Sequence, residues 1–356
     1  MFLLSNKERK YEILNKLGMG AISFVYKVKC LDDDKFYTFK FFSESENPKI
    51  QEVHKSIQKN TENLIARPIT EVFGQKIEGL VLPIDMVTNI TGKPGFGYIT
   101  EYIDVSKYST IYKSWNKIEY RPDAKQTCEI CIKIAEILEG VHKTGRACRE
   151  INEGNVYFDI ESGNVYYIDC DNILSDVTFN SQIIDIPYTA PEINENLSFN
   201  SETDRYSMAV YFYRLMVGGY PYEGKKSTRY IIDNNLDNIS LEHSKKIYDH
   251  APVFVFDEKD DSNGIENVTD PKIYDKIKEQ WELQAKFWNR LPESVKATFR
   301  KAFEDKRSSN ATFRPTGAKW IRVLGDVLKN GIVKCECGRH NYLDNETCLF
   351  CGKKLK

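Results

Sequence analysis

The sequence predicts an α+β chain made of a strand-rich first lobe, a helical second lobe and a small metal-bound tail. Three observations carry that expectation. The first hundred residues alternate β-branched or aromatic positions with turn chemistry, the pattern switches to helical spacing near residue 104, and four of the nine cysteines crowd into the last 22 residues. The boundaries that follow are 1–103, 104–330 with an insertion around 233–290, and 331–356.

The strands are read in "YEILNKLG", "SFVYKVKC", "KFYTFKFF", "LVLPIDMV" and "FGYITEYI", separated by turn-formers such as "DDD" and "TGKPG". One helix interrupts them. In "PKIQEVHKSIQKNTENLI" the residues Ile50, Val53, Ile57, Leu64 and Ile65 recur near one face, and Pro48 suits a first turn, where its missing N–H has no intrahelical partner to lose. The helical lobe is clearest in "CEICIKIAEILEGVH" and "DRYSMAVYFYRLMV", and resumes in "PESVKATFRKAF" and "AKWIRVLGDVL". Between them residues 233–290 read as polar and irregular, with "DEKDDSNGIENVTD" as an exposed loop.

The 50 basic and 52 acidic residues nearly cancel, which removes the global electrostatic case for nucleic acid or an anionic membrane as the main partner. Lys334, Arg339, Lys353, Lys354 and Lys356 leave a local nucleic-acid contact of the tail as a weaker reading. No run of eighteen apolar residues occurs and "MFLL" is too short for a signal-peptide core, so a soluble, cytoplasmic chain is expected. Cys30, Cys128, Cys131, Cys148 and Cys170 are scattered through the body, as reduced thiols would be.

Gly18 and Gly20 in "LGMGAISFVYKV" sit between two strands, where missing side chains let backbone N–H groups approach a phosphate; a plain hairpin turn gives the same letters. Lys40 ends the alternation "FYTFK", either as a snorkelling edge residue or as a cation for phosphates. Phosphoryl transfer needs an acid to orient the nucleophile and oxygen or amide ligands for magnesium. "REINEGN" supplies Arg149, Glu150 and Asn155 in that order, and "NVYYIDCDN" reaches Asp169. In the tail, Cys335 and Cys337 form one pair and Cys348 and Cys351 another, each followed by a glycine. Four thiolates on one tetrahedral Zn2+ would close every coordination position, so the metal is structural and its binding supplies folding energy that so short a piece lacks. The first pair is one residue tighter than usual, which leaves His340 as a substitute ligand.

Taken in order, these segments resemble a eukaryotic-type protein kinase, over about residues 10–328. "GMGAIS" is similar to the glycine-rich loop, "YTFK" to the strand ending in the phosphate lysine, "CREINEGN" to HRDLxxxN, "DCD" to DFG, and "APE" at 190–192 to APE. "TDRYSMAVYFYRLMVGGYPYEG" resembles the helix that buries an aspartate, here Asp204, under the catalytic loop, and "FRPT" supplies Arg314 to pair with Glu192. More narrowly, "CREINEGNVYFD", "DCDN" and the cysteine-rich tail resemble bacterial kinase-like proteins associated with tellurite-resistance and phosphatase modules.

The resemblance implies a bilobal fold, β-rich then helical, with a C-terminal zinc ribbon, and an enzyme that moves the γ-phosphoryl group of ATP to serine or threonine hydroxyls, its own included. It implies Mg2+ or Mn2+ on Asn155 and Asp169, phosphates on Lys40, Glu62 (or Glu52) pairing with Lys40, Glu150 orienting the attacking hydroxyl, and Arg149 holding an activation segment phosphorylated at Ser175, Thr178 or Ser181. Gly18, Gly20 and Val25 would cover the nucleotide, Thr100 would guard the adenine pocket, and Glu101 to Ile103 would form the hinge. A protein substrate, a signalling partner and a phosphatase are the implied partners. The sequence also departs from the family. Glu150 stands where the family has aspartate, and its extra CH₂ moves the carboxylate by about 1.5 Å, an error worth roughly 100-fold in rate. Cys148 replaces a histidine, Cys170 and Asp171 replace Phe-Gly, Asn152 replaces a lysine, and Asp185 lies near the place of a substrate-loop threonine. These departures support a rival reading, a nucleotide-binding pseudokinase scaffold that docks through its ribbon.

Overall fold

The computed structural model describes residues 2–72, 75–88, 90, 92–175, 177–178, 186–193, 198–235, 253–266, 268–303 and 313–355. They fall into two compact units, Met1–Tyr108 with Tyr166–Leu174, and Ser109–Val165 with Ser175–Lys356. Ser181, Asp185 and Lys356 lie outside the described residues, as do the side chains of Ser175 and Thr178.

The strands of the first unit are β1 (Phe2–Leu4), β2 (Lys10–Met19), β3 (Phe24–Cys30), β4 (Phe36–Ser43), β5 (Glu71–Val72), β6 (Gln75–Lys76), β7 (Pro83–Val87) and β8 (Gly95–Glu101). β5 and β6 make a hairpin of their own, and the rest form one antiparallel sheet in the order β1-β2-β3-β4-β8-β7. Alternation along β4 sorts its side chains. Phe39 and Phe41 enter one core with Leu3, Tyr11, Val28 and Ile99, while Phe42 joins Met86, Phe96 and Tyr98 on the other face. Lys40, two residues from Phe42, shares that second face. The helix α1 (Pro48–Ala66) packs there through Ile57, with Val53 and Ile65 alongside. It starts as the sequence indicates: the Asn47 side chain accepts from the Lys49 N–H and Pro48 occupies the first turn. Phe42 and Phe96 stack with ring centroids 4.9 Å apart, and burying such rings contributes roughly 1.5–3 kcal/mol each.

The segment Tyr166–Leu174 belongs to this unit because main-chain bonds stitch it there: Tyr167 N–H donates to the Gly79 carbonyl at 2.8 Å and Val81 N–H to the Tyr167 carbonyl at 3.0 Å.

The second unit is helical: α2 (Ile111–Asn116), α3 (Ala124–His142), α4 (Ser201–Met216), α5 (Lys225–Asp233), α6 (Pro271–Arg290), α7 (Glu293–Phe303) and α8 (Gly317–Asn330). Capping boxes open α3, from Asp123 and Gln126, and α4, from Asn200 and Thr203. α4 is buried along most of its length, including Tyr206 through Tyr213, as a helix apolar on every side must be. α8 lies close on α3 because Gly317 has no side chain; a Cβ there would stand 2.9 Å from the Ala135 carbonyl oxygen. Tyr213, Phe254, Trp288, Phe299 and Phe303 form an aromatic core, with Phe256 stacked on Trp288 at 4.5 Å.

Two expectations for residues 233–290 need correcting. The stretch contains α6, twenty residues long, which buries Trp281, Gln284, Phe287 and Trp288 at helical spacing beneath a charged outer face that masked the pattern. Inside "DEKDDSNGIENVTD", Asn263 is buried, its Nδ2 donating to the carbonyls of Tyr222 at 2.9 Å and Val253 at 2.8 Å. Among the described residues no helix is long and apolar enough to cross a membrane.

Candidate active site

The register of the sheet assembles the candidate site residues of the first unit. Gly18 faces Val25, Val25 faces Lys40, Lys40 faces Tyr98, and Tyr98 faces Met86, so five residues from five strands form one row on one face. Thr100 lies two residues along β8 from Tyr98 and shares the face, with its Oγ1 3.2 Å from the Glu101 carbonyl oxygen. The Ile103 carbonyl accepts from Val105 N–H at 2.9 Å. Gly20 N–H donates to the Ser23 carbonyl at 2.9 Å and closes the β2–β3 turn, while the space a Cβ would fill at Gly18 is open for 4 Å.

Lys40 projects from this row onto the turn that follows Tyr167. Its Nζ is hydrogen-bonded to Asp169 Oδ1 and lies 3.0 Å from Asp171 Oδ2. Asp169 adopts a left-handed backbone, φ 62°, at the start of the Cys170–Asn172 turn, which lets carboxylates two residues apart reach one ammonium. Tyr98 donates its hydroxyl to Asp171 Oδ2 at 2.9 Å. Burial works against the charge on Lys40, but Asp169 and Asp171 outweigh it and hold the ammonium pKa above its usual value. Burial, and then the neighbouring Asp169 charge, push the Asp171 carboxyl upward against the pull of Lys40.

The pairing of Lys40 with α1 is not the expected one. Glu62 and Glu52 are both exposed, and Glu62 accepts from Gln58 Nε2 at 3.1 Å on the outer face of the helix. Among the described residues the carboxylates paired with Lys40 are Asp169 and Asp171. The buried stripe of α1 runs through His54, Ile57, Asn60, Thr61 and Leu64, so the position presented toward the Asp169 turn is Asn60, whose Nδ2 donates to the carbonyls of Asp171 and, at 3.1 Å, Ile173.

The second unit holds the acid-loop residues around Asp204, buried near the start of α4. Its Oδ2 accepts from Cys148 N–H at 2.6 Å and contacts His142 Nε2 at 2.9 Å; its Oδ1 accepts from Arg149 N–H at 3.0 Å. Those bonds offset the left-handed backbone of Arg149, φ 65°, whose guanidinium lies over the Phe199 ring at 4.3 Å. Asn155 Nδ2 donates to the Glu150 carbonyl at 3.0 Å, which leaves its Oδ1 as the end available to a cation. Asn152 Oδ1 accepts from Gly154 N–H at 2.9 Å. Arg314 and Glu192 form a two-pronged pair, Nη1 to Oε1 at 2.5 Å and Nη2 to Oε2 at 2.9 Å, both largely buried. The Asp169 carboxylate of the first unit and the Asn155 amide oxygen of the second are each a hard oxygen donor of the kind that Mg2+ takes.

The four tail cysteines converge. Their Sγ atoms lie within 4.8 Å of one another, with Cys335 and Cys351 at 3.6 Å and Cys337 and Cys348 at 3.7 Å. Thiolates about 2.3 Å from a tetrahedral zinc stand about 3.8 Å apart, so the set fits that ion. Gly338 and Gly352 take φ 90° and 73°, the knuckle conformation only glycine adopts freely. Asn341 donates to Cys348 Sγ at 3.4 Å. His340 is not a substitute ligand here: its N–H and its Nδ1 both meet Asp123 Oδ2 at 2.9 Å, tying the tail to the cap of α3.

Sequence reasoning missed Asp171, Tyr98, Asn60 and His142. Asp171 is legible only as the loss of a glycine, Asn60 shares the helical spacing of Ile57 and Leu64, and Tyr98 and His142 carry no local signal.

The family described as the protein kinase domain matches residues 11–314. Over 224 residues the chain is 26% identical to a probable serine/threonine-protein kinase of Clostridium perfringens (strain 13 / Type A), a match covering 60% of this chain and 30% of that protein. The chain therefore spans about 30% of the length of that curated relative. Among solved structures, the autoinhibited serine kinase domain of the giant muscle protein titin superposes with a TM-score of 0.58 at 13% identity, covering 92% of this chain and 83% of that one. That likeness concerns the fold, a β-sheet lobe and a helical lobe. With the family matched across most of its length, the chain belongs to the protein kinase family.

Proposed function

We propose that the chain is an ATP-dependent, Mg2+- or Mn2+-requiring kinase that phosphorylates serine or threonine hydroxyls of proteins, including its own. The observation that carries this reading is the Lys40–Asp169 pair on the sheet face that also bears Gly18, Val25 and Thr100. Lys40 would grip the nucleotide phosphates and Glu101 to Ile103 would meet the adenine. Asp169 and Asn155 would hold the divalent ion, which neutralises charge on the transferred phosphoryl group. Glu150 would orient the attacking hydroxyl, with the loop's backbone fixed by Asp204. Arg149 would hold the activation segment. The serine/threonine class is supported by the similarity to the probable serine/threonine-protein kinase of Clostridium perfringens.

The divisions 1–103, 104–330 and 331–356 belong to the same proposal, the last being a zinc ribbon that holds structural Zn2+ on Cys335, Cys337, Cys348 and Cys351. So does the narrower likeness to kinase-like proteins of tellurite-resistance and phosphatase modules, with a cytoplasmic setting and a phosphatase as candidate partner. A second reading, a nucleotide-binding pseudokinase scaffold, is favoured by Glu150 in place of aspartate and by Asn152 in place of lysine.

Transfer from labelled ATP separates them. Incorporation by the native chain that is lost in Glu150→Ala and Asp169→Ala supports the kinase. No incorporation, with a nucleotide-induced thermal shift that Asp169→Ala abolishes, supports the scaffold.

A further inference from the structure

We propose that Asp171 is the positioning residue for Lys40: a carboxylate from the turn after Asp169, and none from α1, orients the ammonium. The proposal rests on the reading of Lys40 as the phosphate lysine and specifies how that lysine is held.

Four observations carry it. Asp171 has a fully buried side chain, and its Oδ2 meets both Lys40 Nζ at 3.0 Å and the Tyr98 hydroxyl at 2.9 Å. A carboxylate so far from water is tolerated only opposite a cation and donors, and Lys40 is the cation that Asp171 meets. The α1 glutamates, Glu52 and Glu62, are exposed. Where α1 does reach the turn it presents Asn60, an amide that donates to the carbonyls of Asp171 and Ile173. A glutamate at 60 would be an acceptor facing acceptors. The helix thus fixes the backbone that carries Asp171, and Asp171 in turn aims Lys40.

Asp169 cannot fill this role alone. Its side chain is more exposed than that of Asp171, at 28% against 0%, and under the proposed function it is committed to the divalent ion. With Asp169 so engaged, Asp171 is the carboxylate left to hold a largely buried ammonium in place.

The experiment uses the full chain and two readouts. Without nucleotide, melting temperatures of Lys40→Met, Asp171→Asn and the double variant form one cycle, and Lys40→Met with Glu62→Gln or Glu52→Gln form two more. The double variant with Asp171→Asn is expected to shift by clearly less than the sum of the single shifts, and the two glutamate cycles are expected to be additive. With Mg·ATP, Asp171→Asn is expected to lower kcat by on the order of 100-fold with a much smaller change in KM, as misplacement of a group acting in the transition state does. Glu62→Gln and Glu52→Gln are expected to leave both constants unchanged. A Lys40–Glu62 or Lys40–Glu52 cycle coupled as strongly as the Lys40–Asp171 cycle overturns the proposal. So does loss of turnover in either glutamate variant, and because both glutamates are exposed these variants fold even if Asp171→Asn does not. A coupled Lys40–Asp171 cycle in a chain that binds no ATP supports the pairing and removes the ATP reading instead.

Discussion

Two buried aspartates organise the two units by different physics. Asp171 in the first unit faces a cation and a hydroxyl, so its contribution is charge on charge. Asp204 in the second faces two backbone N–H groups and an imidazole, so it gathers a loop that would otherwise leave donors unsatisfied. The second arrangement follows the kinase pattern that the sequence resembles, while the first departs from it. A loop held by its main chain depends on one acceptor and little else. A lysine can be held by any carboxylate that reaches it, and the identity of that carboxylate is free to change.

The sharpest way to break the contrast is Asp204→Ala. It strips acceptors from Cys148 and Arg149 and leaves a left-handed Arg149 unsupported, so stability should fall by about 1–3 kcal/mol for each of the two orphaned N–H groups, read as a lower urea midpoint at unchanged slope. Asp204→Asn retains one acceptor oxygen for two N–H groups, and its loss should be about 1–3 kcal/mol. A loss as large as that of alanine would mean that charge matters at Asp204 as it does at Asp171.

Metal removal asks whether either centre depends on the tail. Chelation, or Cys348→Ser, should strip about one zinc per chain and raise amide exchange in residues 332–355, while the protection of β4, β8 and α4 is retained. Loss of protection throughout would show the tail to be integral to the helical unit.

Tyr98→Phe sharpens the charge side. It removes the hydroxyl from Asp171, together with its longer 3.4 Å contact to Asp169, while keeping the ring beside Lys40, and should cost about 1–2 kcal/mol in chemical denaturation.

The smallest effect is a pH dependence from His54, packed edge-on to Phe42 and Phe96, which burial shifts to a lower pKa than usual. A base depressed in the folded state binds protons more readily when unfolded, so stability should be complete above about pH 6.5 and decline as pH falls below it. His54→Phe should flatten that slope in melts between about pH 7 and 5.

Much of this was legible in the sequence. Strands β2, β3, β4, β7 and β8 announced themselves by alternation, α3 and α4 by spacing, and the four tail cysteines by distances so short along the chain that convergence was nearly forced. The Arg314–Glu192 pair and the place of Asp204 followed from motif order. What was lost had a physical cause in each case. Glu62 is the glutamate of α1 nearer its apolar face by helical spacing, but the residue on that face at the turn is an amide. The stripe 57, 60, 61, 64 is inward at helical spacing even though Asn60 and Thr61 are polar. Asp171 reads in the sequence only as a missing glycine, since no local pattern reports that a residue will meet a lysine 131 positions earlier. α6 was missed because its buried aromatic stripe is thin against its many charges.

The bonds that tie Tyr167 to Gly79 and Val81 run from main chain to main chain. Gly79 takes φ 84° and Val81 and Tyr167 are buried, so exchanges there are confined to residues that keep that backbone and that packing. Proline acts on the bonds themselves: at 81 or at 167 it would delete a donor, and the turn bearing both carboxylates would lose an anchor without any change in charge.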